Sequence, residues 1–461
     1  MTIYSTLSLI KKEIMFKKMV FVIAFMPMFI TAQHTIKGTF SPAEDYKYAI
    51  LYKVTPESSS YIANTQVDEK GNFEFQLDST VTKGMYRLVY ALPQEEFNFD
   101  IIYNGKEDVL LTFDAETGAS YQSSIENTLV NSYTKSMSLV SSSIGNFFRQ
   151  KSKDSLALAA IFKTQRETQN AYEIEAEGTI ALHFIKANEP YIPETFEDIT
   201  TYIDNLKMHF FDHVDFNNET LQSSSFLIER SLNYVFGMAA KGKDEIAAYK
   251  KNTDELYLAM RDASTLIKCS LLEVLWQQMV DANFESVANY ISEAYLIEIA
   301  RSLNDTELEE GLKLFKSVSI GNKAPQFSLE VNEDKKQVLK SLYEINTAAQ
   351  YVIVFWSSTC SHCLEEIPQL QTYVNGLKEG QLQVIAIGLE DEPSRWKNET
   401  IKYPSFMHVL GLGKWDNEIG RHYNVTATPT YYVLDRDKNI IAKPYDFQAF
   451  TKFMEQKVEK K

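Results

Sequence analysis

Two cysteines near the end of the chain, Cys360 and Cys363, are separated by two residues and follow a strongly apolar run. The run from Val352 to Trp356 is typical of a buried strand, and the pattern after Cys360 is typical of a helix. The free N–H groups and positive dipole end of a helix stabilise an anion at its first turn, which lowers the pKa of a cysteine placed there. Because the thiolate is the nucleophile in disulfide exchange, we expect Cys360 to attack and Cys363 to resolve. His362 would add a hydrogen-bond donor or a positive charge.

The alternative function for this cysteine pair is metal binding, since two cysteines at this spacing can also form half of a zinc site. The sequence has no second such pair and no suitably spaced Cys/His pair, so we predict no metal site and no bound cofactor. The remaining cysteine, Cys269, lies in a helical run and is expected to be a small buried hydrophobic residue. A reactive third thiol stays open as the alternative for it.

Residues 317–461 carry the elements that must position the two cysteines. Residues 321–325 predict a linker, and a buried strand over 351–356 and a helix from about Ser361 follow it. A strand over 382–389, a second helix, a short strand, a hairpin and a C-terminal helix complete the pattern. Strands that alternate with helices and end in a hairpin predict an α/β domain with a mixed sheet.

Four short motifs in this segment agree in order and spacing with those of a known family. They are Ala324–Leu329 (APQFSL), Phe355-Trp356, Glu366 with Pro368, and Thr428-Pro429. Through them, residues 317–461 resemble the thioredoxin fold, specifically the exported thiol-disulfide oxidoreductases of the bacterial TlpA/ResA type. The front half resembles a bacterial β-domain of unknown function that often precedes such modules, and that resemblance implies no chemistry.

The resemblance implies a role for particular residues of this sequence. The implied catalytic residues are Cys360, Cys363, Glu366 and His362. The implied substrate-binding residues are Thr428, Pro429 and Trp356. Glu366 would relay a proton to or from the thiol of Cys363, and a cis bond before Pro429 would expose the Thr428 backbone to an extended substrate. The alternative for Glu366 is an ordinary solvated carboxylate on a helix.

Two positions depart from the family pattern. Thioredoxins carry a buried acid six residues before the first cysteine, where this chain has Val354, so Glu366 would take over the relay. Thr359 occupies the position just before the first cysteine where the family commonly has a tryptophan, so we expect the rim of the site to differ from that of the family. Tyr431 and Tyr432 are expected to pack along the strand that follows Pro429. The direction of electron flow is not predicted.

The rest of the mature chain divides into two further predicted domains. Residues 33–118 show apolar residues that alternate with polar ones, which predicts an all-β sandwich-like domain. Residues 119–316 change to a helical period and predict an α-helical domain. One predicted apolar helix stripe comprises Phe196, Ile199, Ile203, Leu206 and Phe210. Thr306 and Glu309 predict a capping box at the start of a later helix.

The N-terminus predicts an export signal over residues 1–32. Four lysines between positions 11 and 18 precede the apolar run Met19–Ile30, and small residues follow it. The run is shorter than the roughly 20 residues that span a bilayer, so we expect a cleaved signal, with Met15 as an alternative start. The alternative interpretation is a buried N-terminal helix.

The composition excludes some classes of partner. The 461-residue chain has a net charge of −16, which argues against binding to nucleic acid or to an anionic membrane surface. We therefore expect a protein of the periplasm or cell envelope that exchanges disulfides with protein substrates and with a dithiol partner protein. Apocytochrome c thiols are among the clients that the resemblance implies, and a homodimer is left open. The alternatives are an envelope scaffold protein with an auxiliary thioredoxin-like domain, or a disulfide isomerase.

Overall fold

The structure is a computed structural model that describes residues 34–459, apart from 57, 240, 241, 243, 334 and 335. The predicted signal peptide over residues 1–32 lies outside the described residues. Within the described part, no helix combines the length and apolar character needed to cross a membrane. The chain divides into two compact units, residues 1–230 and 231–461. Because this division falls inside the predicted helical domain, the predicted domain limits remain a proposal.

The first unit begins with strands whose alternating side chains build a sandwich core. The strands are β1 His34–Ser41, β2 Tyr48–Val54, β3 Ser59–Gln66, β4 Asn72–Leu77, β5 Gly84–Val89, β6 Asn98–Tyr103, β7 Val109–Asp114 and β8 Gly118–Ser123. Among the described residues they form two four-stranded sheets, ordered β4-β1-β7-β8 and β3-β2-β5-β6. Phe73, Phe75 and Leu77 are buried, whereas Glu74 and Gln76 between them are exposed. Both sheets contribute to one buried apolar core, which confirms the sandwich-like prediction.

The central segment is helical, as its sequence period predicts. Its helices are α1 Ile125–Arg149, α2 Ser155–Glu175, α3 Ala181–Ala187, α4 Ile199–Met208, α5 Glu219–Gln222, α6 Phe226–Leu232, α7 Glu245–Ala259, α8 Thr265–Asp281, α9 Glu285–Ile291, α10 Ile297–Leu303 and α11 Thr306–Ser317. Short π-helical stretches follow α6 and α9, at Asn233–Gly237 and Ser292–Leu296. A β-rich region followed by helices therefore matches the predicted order.

Two details of the helical prediction were wrong. The stripe around α4 is only partly buried, because Leu206 packs against the core whereas Ile199 and Ile203 are each about half exposed. The buried residue of that helix is Tyr202, which is not in the stripe. The cap of α11 is Asp305 rather than Thr306, since the Asp305 carboxylate accepts the N–H of Leu308 at 2.9 Å. An aspartate satisfies the free N–H groups of a first turn as well as a threonine does, so neighbouring capping residues compete.

The second unit ends in an α/β region with a mixed sheet. Its strands are β9 Ser328–Glu333, β10 Lys336–Ser341, β11 Gln350–Trp356, β12 Leu382–Glu390, β13 Met407–Leu412, β14 Thr430–Leu434 and β15 Ile440–Ala442. Its helices are α12 Ser361–Asn375, α13 Pro393–Thr400, α14 Glu418–His422 and α15 Phe447–Glu459. The sheet order is β13-β12-β11-β14-β15, with β11, β12 and β13 parallel and β14 and β15 antiparallel to their neighbours. This arrangement confirms the predicted α/β region and its mixed sheet.

The predicted linker at residues 321–325 is part of this region instead. The N–H of Gly321 donates to the carbonyl of Ile440 at 2.8 Å, and the N–H of Ala324 donates to the carbonyl of Lys438 at 2.9 Å. Ala324 is fully buried. Gly321 and Pro325 predicted a linker, but backbone hydrogen bonds join this segment to the β14–β15 hairpin.

The parallel strands determine where the two cysteines lie. The C-terminal ends of β11, β12 and β13 meet at one edge of the sheet, and α12 begins there directly after β11. Every residue of β11 from Tyr351 to Trp356 is buried, so the strand is a fixed platform for the loop that precedes Cys360. Side chains that follow the ends of these strands therefore converge on one site.

Candidate functional site

Cys360 occupies the N-cap position of α12, as the sequence predicts. Its Sγ accepts the N–H of Cys363 at 3.4 Å, and its thiol lies 3.3 Å from the carbonyl oxygen of Thr428. Burial on its own raises the pKa of Cys360, but hydrogen bonds from Cys363, with Thr428 and from the backbone of His362 outweigh it and lower the pKa below the ordinary value. A half-buried thiol with a lowered pKa is suited to be an attacking nucleophile.

Cys363 has the opposite environment, one turn into the same helix. Its side chain is fully buried among Trp356, Ile367 and Tyr431. Burial, together with the hydrogen bond to Cys360, raises the pKa of the Cys363 thiol to about 12. The two free thiols therefore differ in access and in acidity, which is the asymmetry that an attacking and a resolving cysteine require.

The structure also places the two other residues that the family resemblance implies, His362 and Trp356. The side chain of His362 is exposed, and its contribution to the Cys360 pKa comes through its backbone N–H. Trp356 is fully buried, and its ring meets Tyr403 edge-on at a centroid distance of 6.1 Å. A substrate therefore has no surface of Trp356 to contact, and the prediction that Trp356 binds substrate was wrong. A strand-end aromatic at this position faces the core because the whole strand is buried on both faces.

Thr428 and Pro429 lie beside the nucleophile. The peptide bond between them is cis, as the resemblance implies, and both residues are half-buried just ahead of β14. The carbonyl of Thr428 points at the Cys360 sulfur. The structure thus brings together two segments that are 68 residues apart in the sequence.

Glu366 is not an ordinary solvated carboxylate. It is half-buried on α12, and its Oε2 accepts the hydroxyl of Tyr431 at 2.8 Å and the N–H of Phe447 at 2.9 Å. Tyr431 pairs in register with Val354, the position where thioredoxins carry their buried acid. A polar group is thus present on the strand next to Val354, and the expectation that Tyr431 only packs was incomplete.

Glu390 is a site residue that the sequence analysis missed. It ends β12 and is 3% exposed. Its Oε1 accepts the N–H of Ser358 at 2.5 Å, and its Oε2 lies 3.3 Å from the Ser357 hydroxyl. These bonds fix the loop between β11 and Cys360. A carboxylate directly after the apolar run Val384–Leu389, at the same sheet edge as the cysteines, was the available signal.

Other groups considered in the sequence do not join this site. Cys269 is buried on α8, and burial together with its hydrogen bond to Glu273 raises its pKa to about 12. Within the described ranges, no group of three or more His, Cys, Asp or Glu side chains is arranged to hold a metal ion.

Comparisons with known proteins match the segment that contains this site. The family model described as Redoxin matches residues 319–453. The C-terminal third is a Redoxin domain. Thiol-disulfide oxidoreductase ResA of Bacillus cereus is 27% identical over 126 residues, which cover 27% of this chain and 69% of that protein. ResA of Bacillus anthracis is 27% identical over 124 residues, which cover 27% of this chain and 68% of that protein.

Solved structures also resemble the chain. A thioredoxin-like protein from Bacteroides caccae is 18% identical and covers 58% of this chain and 97% of its own length, with a TM-score of 0.39. The thioredoxin domain of a thiol-disulfide oxidoreductase from Bacteroides vulgatus is 22% identical and covers 30% of this chain and 98% of its own, with a TM-score of 0.26. The matched Redoxin segment contains both cysteines, Glu366, Glu390 and the Thr428-Pro429 pair.

Proposed function

We propose that this protein is an exported thiol-disulfide oxidoreductase that exchanges disulfides with proteins of the cell envelope through its Cys360–Cys363 pair. One observation carries the proposal: the two thiols share a helix turn but differ in exposure and acidity. The half-buried thiol at the helix N-cap has a lowered pKa, while the thiol beneath it is fully buried with a raised pKa. The oxidoreductase relatives of the Redoxin domain support the same chemistry.

The reaction proceeds through two thiol-disulfide exchanges. The Cys360 thiolate attacks one sulfur of a client disulfide, and the other client sulfur leaves as a thiolate that takes up a proton. Cys363 then loses its proton and attacks the Cys360 sulfur of the mixed disulfide, which releases the second client sulfur. The client gains two electrons and the domain becomes the Cys360–Cys363 disulfide. A dithiol partner protein restores the reduced pair, and the reverse sequence oxidises a client.

Four further residues assist these steps. Glu366 takes part in proton movement when Cys363 is deprotonated, because it lies three residues on, on the same helix face. The His362 backbone N–H stabilises the Cys360 thiolate. The half-buried Thr428-Pro429 segment offers backbone to an extended client next to the reacting sulfur.

The location and clients belong to the same proposal. The basic and then apolar pattern over residues 1–32 supports export to the periplasm or envelope. Clients are envelope proteins with incorrect disulfides or with free thiols, apocytochrome c among them. The β-rich and helical parts of the chain select the client or form a homodimer.

Trapping of mixed disulfides tests the proposal. In Cys363→Ser the resolving thiol is lost, so we expect client proteins to remain bound to Cys360 and to be released by reductant. Cys360→Ser should trap nothing, and Cys269→Ser is the matched control that should trap no more than the native protein. The native protein should also reduce insulin in the presence of a dithiol. Absence of both trapping and insulin reduction would contradict the proposal and favour an envelope scaffold protein.

A further inference from the structure

One carboxylate oxygen near the resolving cysteine receives two hydrogen bonds from distant parts of the domain. The Oε2 of Glu366 accepts the hydroxyl of Tyr431, from β14, and the backbone N–H of Phe447, the first residue of α15. The two donors lie 65 and 81 residues from Glu366 along the chain. A half-buried glutamate on an open helix face would sample several rotamers, whereas these donors hold one oxygen in place.

The buried environment of Tyr431 keeps its hydroxyl a hydrogen-bond donor to Glu366. Its side chain is 1% exposed, and its ring stacks on Phe450 with a centroid distance of 6.3 Å. Burial, and next the negative charge of Glu366, raise the pKa of Tyr431 far above its ordinary value. The hydroxyl therefore stays protonated over the whole working range of pH and always donates to the carboxylate.

The hydroxyl also lies within electrostatic reach of the resolving cysteine. Glu366, Cys363 and Asp446 lie close enough to Tyr431 for a negative charge on any of them to raise its pKa. Tyr431 is in the same buried cluster as Cys363 and is hydrogen-bonded to Glu366. Its partner across the strand pair is Val354, so the strand that carries Tyr431 supplies the polar group that β11 lacks.

We propose that Tyr431 is a positioning residue that holds Glu366 beside Cys363, so that the carboxylate can move a proton when Cys363 attacks the mixed disulfide. This inference rests on the proposed function and adds a residue to it. Tyr431 acts through Glu366 and exchanges no proton itself. The first exchange, at Cys360, does not depend on it, whereas the second exchange does.

An aromatic disulfide reagent separates the two exchanges. Attack of Cys360 on Ellman's reagent breaks its S–S bond and releases one thionitrobenzoate, in a phase whose rate rises with reagent concentration. Attack of Cys363 on the resulting mixed disulfide releases the second thionitrobenzoate, in a phase that is independent of reagent concentration. Stopped-flow absorbance records both phases. All variants carry Cys269→Ala, so that Cys360 and Cys363 are the only thiols that report.

The expected results differ between the two phases. Tyr431→Phe should slow the second phase by about ten- to a hundredfold, because a misplaced proton-transfer group loses rate on that scale. It should leave the first phase within about twofold, since the hydrogen bonds of Cys360 are unchanged. Adding Tyr431→Phe to Glu366→Gln should slow the second phase no further.

The neighbouring Tyr432→Phe is the matched control. Tyr432 is equally buried on the same strand, but its hydroxyl donates to the carbonyl of Tyr423 on the opposite face. It should change neither phase. If the native pair gives no second phase, the proposed function fails. If the native pair gives both phases but Tyr431→Phe leaves the second one unchanged, or slows it equally in the Glu366→Gln background, this inference is overturned while the function stands.

Discussion

Replacement of Glu390 by alanine removes the side chain that holds the active-site loop. Glu390 and Ser358 are both buried, and the carboxylate accepts the Ser358 N–H at 2.5 Å. The second contact, to the Ser357 hydroxyl, is long at 3.3 Å, and that hydroxyl has another partner in Thr359 at 2.9 Å. The loss therefore concerns chiefly one buried N–H group that no longer has an acceptor.

The magnitude follows from that single group. A buried donor left without a partner costs about 1–3 kcal/mol, and removal of a buried carboxylate returns part of its own desolvation cost. We expect Glu390→Ala to lower the free energy of unfolding by about 2 kcal/mol. For a unit of 231 residues (231–461), each kcal/mol lowers the midpoint of thermal unfolding by about 2–4 °C, so the expected change is about 4–8 °C.

Calorimetry of the full chain measures this effect. The transition that moves when the Cys360–Cys363 pair is oxidised reports on the Redoxin domain. Glu390→Gln is the matched control, because its amide oxygen still accepts the Ser358 N–H, and it should shift that transition by less than half as much as alanine does. Equal shifts for the two variants, or no shift for alanine, would refute the argument that the Ser358 hydrogen bond fixes the loop.

Four further predictions concern the thiols and the packing of the domain. Alkylation of Cys360 should reach half its maximal rate at a pH below the ordinary thiol pKa. Cys363, with its pKa raised to about 12, should stay unreactive in the folded protein. Equal alkylation rates for both thiols would contradict this prediction. In the reduced protein, the lowered pKa of Cys360 stabilises the folded state at high pH, and this stability is lost as the pH falls through the pKa of Cys360 in the folded protein. Melting temperatures of the native protein and of Cys360→Ala, compared across pH, measure this contribution. Gly388→Ala should destabilise the domain by about 1–3 kcal/mol in denaturant titrations, because the added Cβ would overlap the indole of Trp396; an unchanged midpoint would show that the indole moves aside. Cys269→Ala should leave insulin reduction within about twofold, since that thiol is buried away from the site.

The parts of the site that lie close together in the sequence could be predicted from it. An apolar strand, a short loop and two cysteines at the start of a helix occupy consecutive residues, and helix-end electrostatics follow from local order alone. The difference between Cys360 and Cys363 follows from the same pattern, since Cys360 is the N-cap at the end of the helix whereas Cys363 lies one turn inside the helix and is buried. The alternation of strands and helices then predicted the mixed sheet.

Contacts between distant segments could not be predicted in the same way. The bond of Tyr431 to Glu366 spans 65 residues, and that of Glu390 to Ser358 spans 32. No local pattern specifies which of several tyrosines or carboxylates will meet. The prediction for Trp356 failed for a different reason, because the apolar run predicts its burial in the strand whereas the substrate contact was implied only by the family motif.

Periodicity also has a limit that α4 illustrates. Its apolar spacing is the same whether the stripe faces a core or solvent, and the structure leaves Ile199 and Ile203 about half exposed. Glycine and proline at residues 321–325 similarly indicate a bend, but only the partners Ile440 and Lys438 show that the segment is hydrogen-bonded into the domain. In both cases the missing information is the identity of the neighbouring element.

A redox titration of the native chain tests the central claim most directly. The protein is equilibrated in thiol-disulfide buffers of graded potential, and peptide mapping then follows the state of each cysteine. We expect one two-electron transition in which Cys360 and Cys363 form a disulfide with each other, at a potential between about −270 and −120 mV, while Cys269 stays a free thiol. A pair that remains as two thiols at every potential, or that forms disulfides only between separate molecules, would contradict it.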